Sequence, residues 1–251
     1  MAKPDKSDRR AVLDQIRSDQ KRKESRRSFL IVGACVLVAL LIVGAAAYQP
    51  VSDWWGLRAV ASTPLTDLGA PAEDVCGKIR TKPATGTQQH VPEESPIGYT
   101  EAPPAFGEHY PVWEGIERKL YTAEDRPPLG RLVHNLEHGF TILWYDETIA
   151  ADEEQMDLLR AVAEKKQGTE NLRLKFKAAP WGDEDANGKQ FPKGKHIALT
   201  HWSAGGAGET DQTKQLGVWQ YCSEISGEAL EDFMLKYPYM DSPEPLARNY
   251  S

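Results

Sequence analysis

The sequence predicts an α+β domain behind one membrane-spanning helix, and three observations predict it. A charge-free run from Phe29 to Tyr48 follows a basic tail. From Phe140 to Lys236 the order strand, helix, strands, helix can be read from residue periodicity. Between them, residues 77–128 carry Pro83, Pro92, Pro96, Pro103, Pro104, Pro111, Pro127 and Pro128, which leave no room for a long helix. The expected architecture is a single N-terminal transmembrane helix, then one domain with a small mixed or mainly antiparallel sheet, two helices and a long Pro-rich loop region.

Each element has its own warrant. Residues 1–27 hold ten Lys/Arg against five Asp/Glu and read as a basic cytoplasmic tail. The span, placed at 28–48, matches the roughly 20 apolar residues that cross a hydrocarbon core. Arg26 and Arg27 precede it and Trp54-Trp55 follow, so the tail is expected inside and the C-terminal domain outside. The protein is thus expected in the cell membrane, single-pass, held by lipid contact along 28–48. Ala45-Ala46-Ala47 offers the rival reading of a cleaved signal peptide, against which stand the length of the apolar run and of the basic region. Cys35 has a long apolar stretch after it and almost none before it, the wrong order for lipidation, and reads as a small residue inside the span.

Residues 49–75 read as a juxtamembrane linker, 76–245 as the extracytoplasmic domain and 246–251 as a tail. In an oxidising compartment Cys76 and Cys222 predict a disulfide, with a paired-thiolate metal site as the competing reading. The pair closes a loop of roughly 145 residues, worth about 4–5 kcal/mol in the chain-entropy account. The basic tail contributes +5 to a total of −7, so the remainder sums to −12. That balance argues against nucleic acid and against docking on anionic lipid.

Within the domain, Phe140 to Tyr145 is β-branched and aromatic and reads as a buried strand. Asp152, with Gln155 three residues on, caps a helix running to about Lys166, with Met156, Leu159, Val162 and Ala163 inward. Gly168 follows where a C-cap glycine is expected. Leu172 to Ala179 alternates apolar residues with lysines and predicts a strand buried on one face. His196 to Trp202 and Leu216 to Tyr221 are further strands, and Ser226 caps a last helix through Lys236 with Leu230, Phe233 and Met234 inward. Gly205-Gly206-Ala207-Gly208 lacks a following Lys-Ser/Thr and reads as a hairpin tip.

The chemistry concentrates in His134-Asn135-Leu136-Glu137-His138-Gly139. The chain has six histidines, two of them here, with His90 and His109 upstream in loop-like sequence. His134-x-x-Glu137-His138 is formally the inverted zincin pattern of a zinc-dependent hydrolase. That chemistry needs both histidines on one helical face, and the stretch between Pro128 and Gly139 leaves only about Leu129 to His138 for a helix. Glu224 and Glu228 are the available third ligands. A second reading takes His90, His109, His134, Glu137 and His138 as a site for copper or zinc without hydrolysis. Sparse methionine disfavours a thioether Cu(I) carrier. A third reading is an accessory module of a membrane-protein complex, in which Glu137 pairs with Arg131 or a histidine, Gly139 serves a turn, and Phe106, Tyr110 and Trp113 meet a partner. His196 and His201, five apart in a strand, face opposite sides, so at most one joins a site. No Gly-x-Ser-x-Gly elbow and no free catalytic cysteine is present, and no catalytic residue is assigned.

Three groups of residues carry a resemblance to a known family. The first is His90, Tyr99, Pro103-Pro104, Gly107 and His109. The second is Val133 through Gly139 running into the strand that ends at Tyr145. The third is Ala179-Pro180-Trp181 with Ile197-Ala198-Leu199-Thr200-x-Trp202 and a C-terminal helix ending near Pro243-Glu244. They resemble the actinobacterial proteins of domain of unknown function 3105 over roughly residues 76 to 245. In that pattern a small residue precedes the glycine at 107, where this chain has Phe106. The resemblance implies a single-span or secreted protein and one constellation of His90, His109, His134, Glu137 and His138.

Overall fold

The computed structural model describes residues 21–22, 30–46, 62–84 and 88–246. Contacts divide the chain into Met1–Ala59 and Val60–Ser251. In the first unit, residues 30–46 are helical (α1). Among the described residues no helix is long and apolar enough to cross a membrane. The ends of the expected 28–48 span, most of the basic tail, residues 49–61 and the tail at 247–251 lie outside the described residues.

The second unit is α+β, built on a five-stranded mixed sheet. Its elements in order are α2 (Ala72–Val75), β1 (Arg80–Pro83), α3 (Leu129–Glu137), β2 (Thr141–Tyr145), α4 (Glu147–Ala151), α5 (Glu153–Lys165), β3 (Phe176–Pro180), β4 (Ile197–Ser203), β5 (Leu216–Cys222) and α6 (Gly227–Lys236). The spatial order is β1-β5-β4-β2-β3. Only β2 and β3 run parallel, joined by the α4–α5 crossover, while the other neighbours are antiparallel.

The period-2 alternation of the central strands splits the core into two faces. Leu143, Tyr145, Ile197, Leu199 and Val218 pack with Leu159 and Val162 of α5 and Leu230 and Phe233 of α6. On the other face, Ile142, Trp144, Ala198, Trp202 and Trp219 pack with Leu132, Val133 and Leu136 of α3. The predicted caps are in place. Asp152 accepts from the Glu154 and Gln155 amides, and Ser226 accepts from the Ala229 amide.

Four expectations are corrected. Beyond the two predicted helices, α3 and the short α2 and α4 form. Residues 65–75, expected as linker, are packed: Leu68 and Val75 are buried, Gly227 N–H donates to Leu68 O, and Glu228 accepts from the Ala72 amide at 2.7 Å. β1 lies inside the Pro-rich stretch, where Pro83 ends an edge strand as the missing N–H requires. The lysines around β3 are not on a solvent face. Lys177 is buried and donates to Gly115 O at 2.6 Å and Arg118 O at 3.0 Å, and burial pushes its ammonium down to about 7. Lys175 is buried too, donating to His138 O and Pro245 O.

Cys76 and Cys222 form a disulfide that ties the C-cap of α2 to the end of β5 across 146 residues. Residues 88–128 are held in part by aromatic side chains of the sheet. Trp219 Nε1 donates to Pro103 O, Tyr221 OH to Ala102 O, and Tyr145 OH to Tyr121 O. Phe106 lies against Trp202 and Trp219, in space left open by Gly217, whose added Cβ would stand 2.3 Å from the Phe106 ring. The large residue before Gly107 is therefore matched by a missing side chain on β5.

Candidate metal centre

The site forms where α3 ends. Proline at position 128 starts this helix without losing a needed donor, and the helix closes at His138. Gly139, with φ of +83°, turns the chain directly into β2, and a Cβ there would meet Tyr239 O at 2.3 Å. His134 and His138, one turn apart, lie at the negative end of the helix dipole, which favours cations. Asn135, between them, is buried and binds both backbone groups of Glu114, accepting from its N–H at 3.1 Å and donating to its carbonyl at 2.7 Å. This fixes the segment carrying Tyr110 and Trp113 over the helix.

The loops bring the other imidazoles. Val91 N–H donates to His109 O and His109 N–H to Gln89 O, a short parallel ladder that sets His90 beside His109. Ring centroids of His90, His109 and His134 are 4.7 to 4.8 Å apart. His109, His134, Glu137 and His138 are buried, whereas His90 is exposed. One ligand atom from each of His90, His109, His134 and Glu137 lies within 4.8 Å of all the others. The expected five-residue constellation divides here. His138 falls in a second, overlapping set with Glu137 and Glu244.

Hydrogen bonds fix which ring nitrogens face the site. Nδ1 of His109 is 2.8 Å from Gly107 O, that of His134 is 2.5 Å from Tyr110 O, and that of His138 is 3.2 Å from Glu244 O. A carbonyl only accepts, so each Nδ1 carries the hydrogen and each neutral ring presents its Nε2 lone pair. This is the arrangement of metal-binding histidines, in which a carbonyl on the far nitrogen sets tautomer and orientation.

Glu137 Oε1 accepts from Gln88 Nε2 at 2.9 Å, while Oε2 is 2.9 Å from His109 Nε2 and 3.9 Å from His134 Nε2. His109 Nε2, Glu137 Oε2 and His138 Nε2 are buried without a hydrogen-bond partner. The 2.9 Å approach is thus acceptor against acceptor while His109 is neutral. A proton between His109 and Glu137 would satisfy that pair alone and leave the His134 and His138 lone pairs unmatched. A divalent cation held by His109, His134 and Glu137 satisfies those three together.

The electrostatics agree. Burial, reinforced by the neighbouring His138, pushes His134 down to about 3, and burial pushes His138 down to about 4, so both are neutral ligands near pH 7. Burial works to raise the Glu137 carboxyl, but contact with His109 and the Gln88 bond hold it below the ordinary carboxylate range. Trp113 shields one side, with ring centroids 4.9 Å from His134 and 4.4 Å from His138.

Other residues singled out in the sequence lie elsewhere. His196 pairs with Asp146 at 2.8 Å, and His201 is buried between Phe140 O and Asp241 O. Arg131 pairs with Glu93 and Glu114 rather than with Glu137. Glu228, a possible third zincin ligand, is occupied at α2, and Glu224 is exposed on the turn before α6. Tyr110 lies over Gly130, where a Cβ would meet its ring at 2.6 Å, and Phe106, Tyr110 and Trp113 are each half-buried against neighbouring rings or backbone. Sequence reading missed Gln88 and Glu244 as members of the site. Pro243-Glu244 was expected near a helix end, whereas the last helix stops at Lys236 and the chain continues back to the site.

No curated protein and no solved structure matches this chain. A match to the family described as "Protein of unknown function (DUF3105)" spans residues 90–250, and so includes every histidine and carboxylate of the site. The chain belongs to the DUF3105 family.

Proposed function

We propose that this protein binds a transition metal, copper or zinc, through His90, His109, His134 and Glu137, in a metal-handling role. One observation carries the reading: His109 and His134 each give Nδ1–H to a backbone carbonyl, and His109 Nε2 and Glu137 Oε2 are left buried beside each other without a hydrogen-bond partner. Orphaned buried polar atoms are rare, and a cation is the group that suits three imidazoles and one carboxylate. Copper(II) stands highest in the affinity order for such ligands, and imidazole also suits zinc. The exposed His90 supplies the side from which an ion enters.

The setting we propose is the outer face of a cell membrane, with the chain anchored by 28–48; the disulfide supports an oxidising compartment. An accessory module of a membrane complex is the second reading, favoured by that same anchor. Elemental analysis of the full chain, purified without a histidine tag, tests the metal reading beside a His109→Ala/His134→Ala variant. Copper or zinc held by the native chain and lost from the variant is the expected result. A folded native chain that takes up neither ion on titration overturns it.

A further inference from the structure

The buried atom that the first ligand set leaves unused is His138 Nε2. Its ring is 2% exposed and its Nδ1 is committed to Glu244 O, so Nε2 is the atom left to bind, and it has no partner. His138 belongs to a second cluster in which one ligand atom each from Glu137, His138 and Glu244 lies within 4.8 Å of the others. Glu137 is common to both clusters.

We infer that the centre holds two cations, the second bound by His138 and Glu244 and joined to the first through the shared carboxylate of Glu137. This rests on the metal reading of the first site. A carboxylate reaching two neighbouring ligand sets, with imidazoles side by side, is the construction of two-ion sites, whose metals stand roughly 3.5–4 Å apart. His134 and His138 have ring centroids 4.5 Å apart on successive turns at the end of α3, which puts the two ligand sets next to each other.

Glu244 is not a surface carboxylate that happens to be near. Its N–H donates to Glu137 O at 2.9 Å, its carbonyl receives His138 Nδ1–H, and the next carbonyl, Pro245 O, receives the Lys175 ammonium. The same segment is held farther back by Asp241, which accepts from Ser203 Oγ and the Gly206 amide. The backbone of residue 244 is thus fixed against the site while its side chain stays 54% exposed, with Oε2 3.7 Å from His138 Nδ1. A fixed backbone with a solvent-exposed carboxylate provides a ligand that can engage and release. With two carboxylates and one imidazole the second site is harder than the first, so it suits Zn(II) better than a soft ion and exchanges more readily.

The test is a Zn(II) titration of the full chain by calorimetry with elemental counting, beside Glu244→Gln and His138→Asn. The expected result is two equivalents in the native chain, the second weaker. Glu244→Gln should weaken that second equivalent by at least about tenfold while the first is retained. Glu244→Gln changes a half-exposed side chain whose backbone does the packing, so its melting curve should match the native one. His138→Asn checks the buried ligand separately. A Cu(II) titration adds a signature: two ions sharing Glu137 couple magnetically, and the electron paramagnetic resonance intensity falls below that of two isolated ions. One equivalent in the native chain overturns the second site and leaves the first standing. A second equivalent unchanged in both variants overturns it as well, since that ion then lies elsewhere. No uptake at all overturns both.

Discussion

His109 Nε2 and Glu137 Oε2 stand 2.9 Å apart inside the protein, while the imidazole's only hydrogen in its neutral form is given to Gly107 O on the opposite side of the ring. The contact joins a loop to a helix end across 28 residues of chain, and it is tolerable only with a cation, a proton or a new donor between the two atoms.

Glu137→Gln supplies such a donor. The amide can present N–H toward the lone pairs of His109 and His134 while its carbonyl still accepts from Gln88, which relieves the acceptor clash in the ion-free protein. The expected outcome is a melting temperature for the ion-free variant equal to or above that of the native chain, with metal affinity reduced at least about tenfold. Scanning calorimetry on chelator-treated protein and a competition titration check the two halves. A variant that loses stability yet keeps its affinity contradicts the assignment of Glu137 as a ligand.

The ion-free protein should be less stable at pH 5 than at pH 7. In the unfolded chain a histidine takes up a proton near pH 6.5, whereas burial holds His134 at about 3 and His138 at about 4 in the fold. Between those limits the unfolded state binds more protons, so stability is full above pH 6.5 and declines as the pH falls toward 3. Bound metal shifts the decline to lower pH, because protons must displace it. Thermal melts from pH 7.5 to 4.5, with and without Zn(II), read both effects.

Replacing Cys76 and Cys222 by serine should lower stability by about 4–5 kcal/mol, the chain-entropy value for a loop of 146 residues. Denaturant unfolding of the double variant beside the native chain, each free of reductant, measures it. Reduction of the native chain should reproduce most of the loss.

Gly217→Ala should cost about 1–3 kcal/mol, because its new methyl meets the Phe106 ring. In a Phe106→Ala background the same change should cost less, with the Trp219 ring 2.6 Å away as the remaining obstacle, and a double-mutant cycle should return a coupling of at least about 0.5 kcal/mol. Additive effects would show that Phe106 is not held in the space above Gly217.

What the sequence made legible follows from where each signal resides. β2, β4, β5, α5 and α6 announce themselves through local periodicity and caps, and Asp152 and Ser226 act as read. The lysines of the β3 region misled because alternation normally reports a wet face. Here the stems are buried and the ammonium groups meet carbonyls of Gly115, Arg118, His138 and Pro245, partners remote in sequence and invisible to periodicity. β1, Arg-Thr-Lys-Pro, has no strand signature of its own and forms because β5 offers it an edge. In the site, scarcity of histidine pointed to His90, His109, His134 and Glu137, which the fold does bring together. The separation of His138 from them, and the arrival of Glu244, depend on a return of the chain that local sequence does not encode.

That return has a consequence for biosynthesis. His138 receives its carbonyl partner, and Glu137 its backbone donor, from residue 244, more than a hundred positions downstream. A growing chain presents His90, His109, His134 and His138 long before the segment that closes over them exists. The hydrogen bonds that residue 244 makes to Glu137 and His138 can therefore form only after nearly the whole domain has been made.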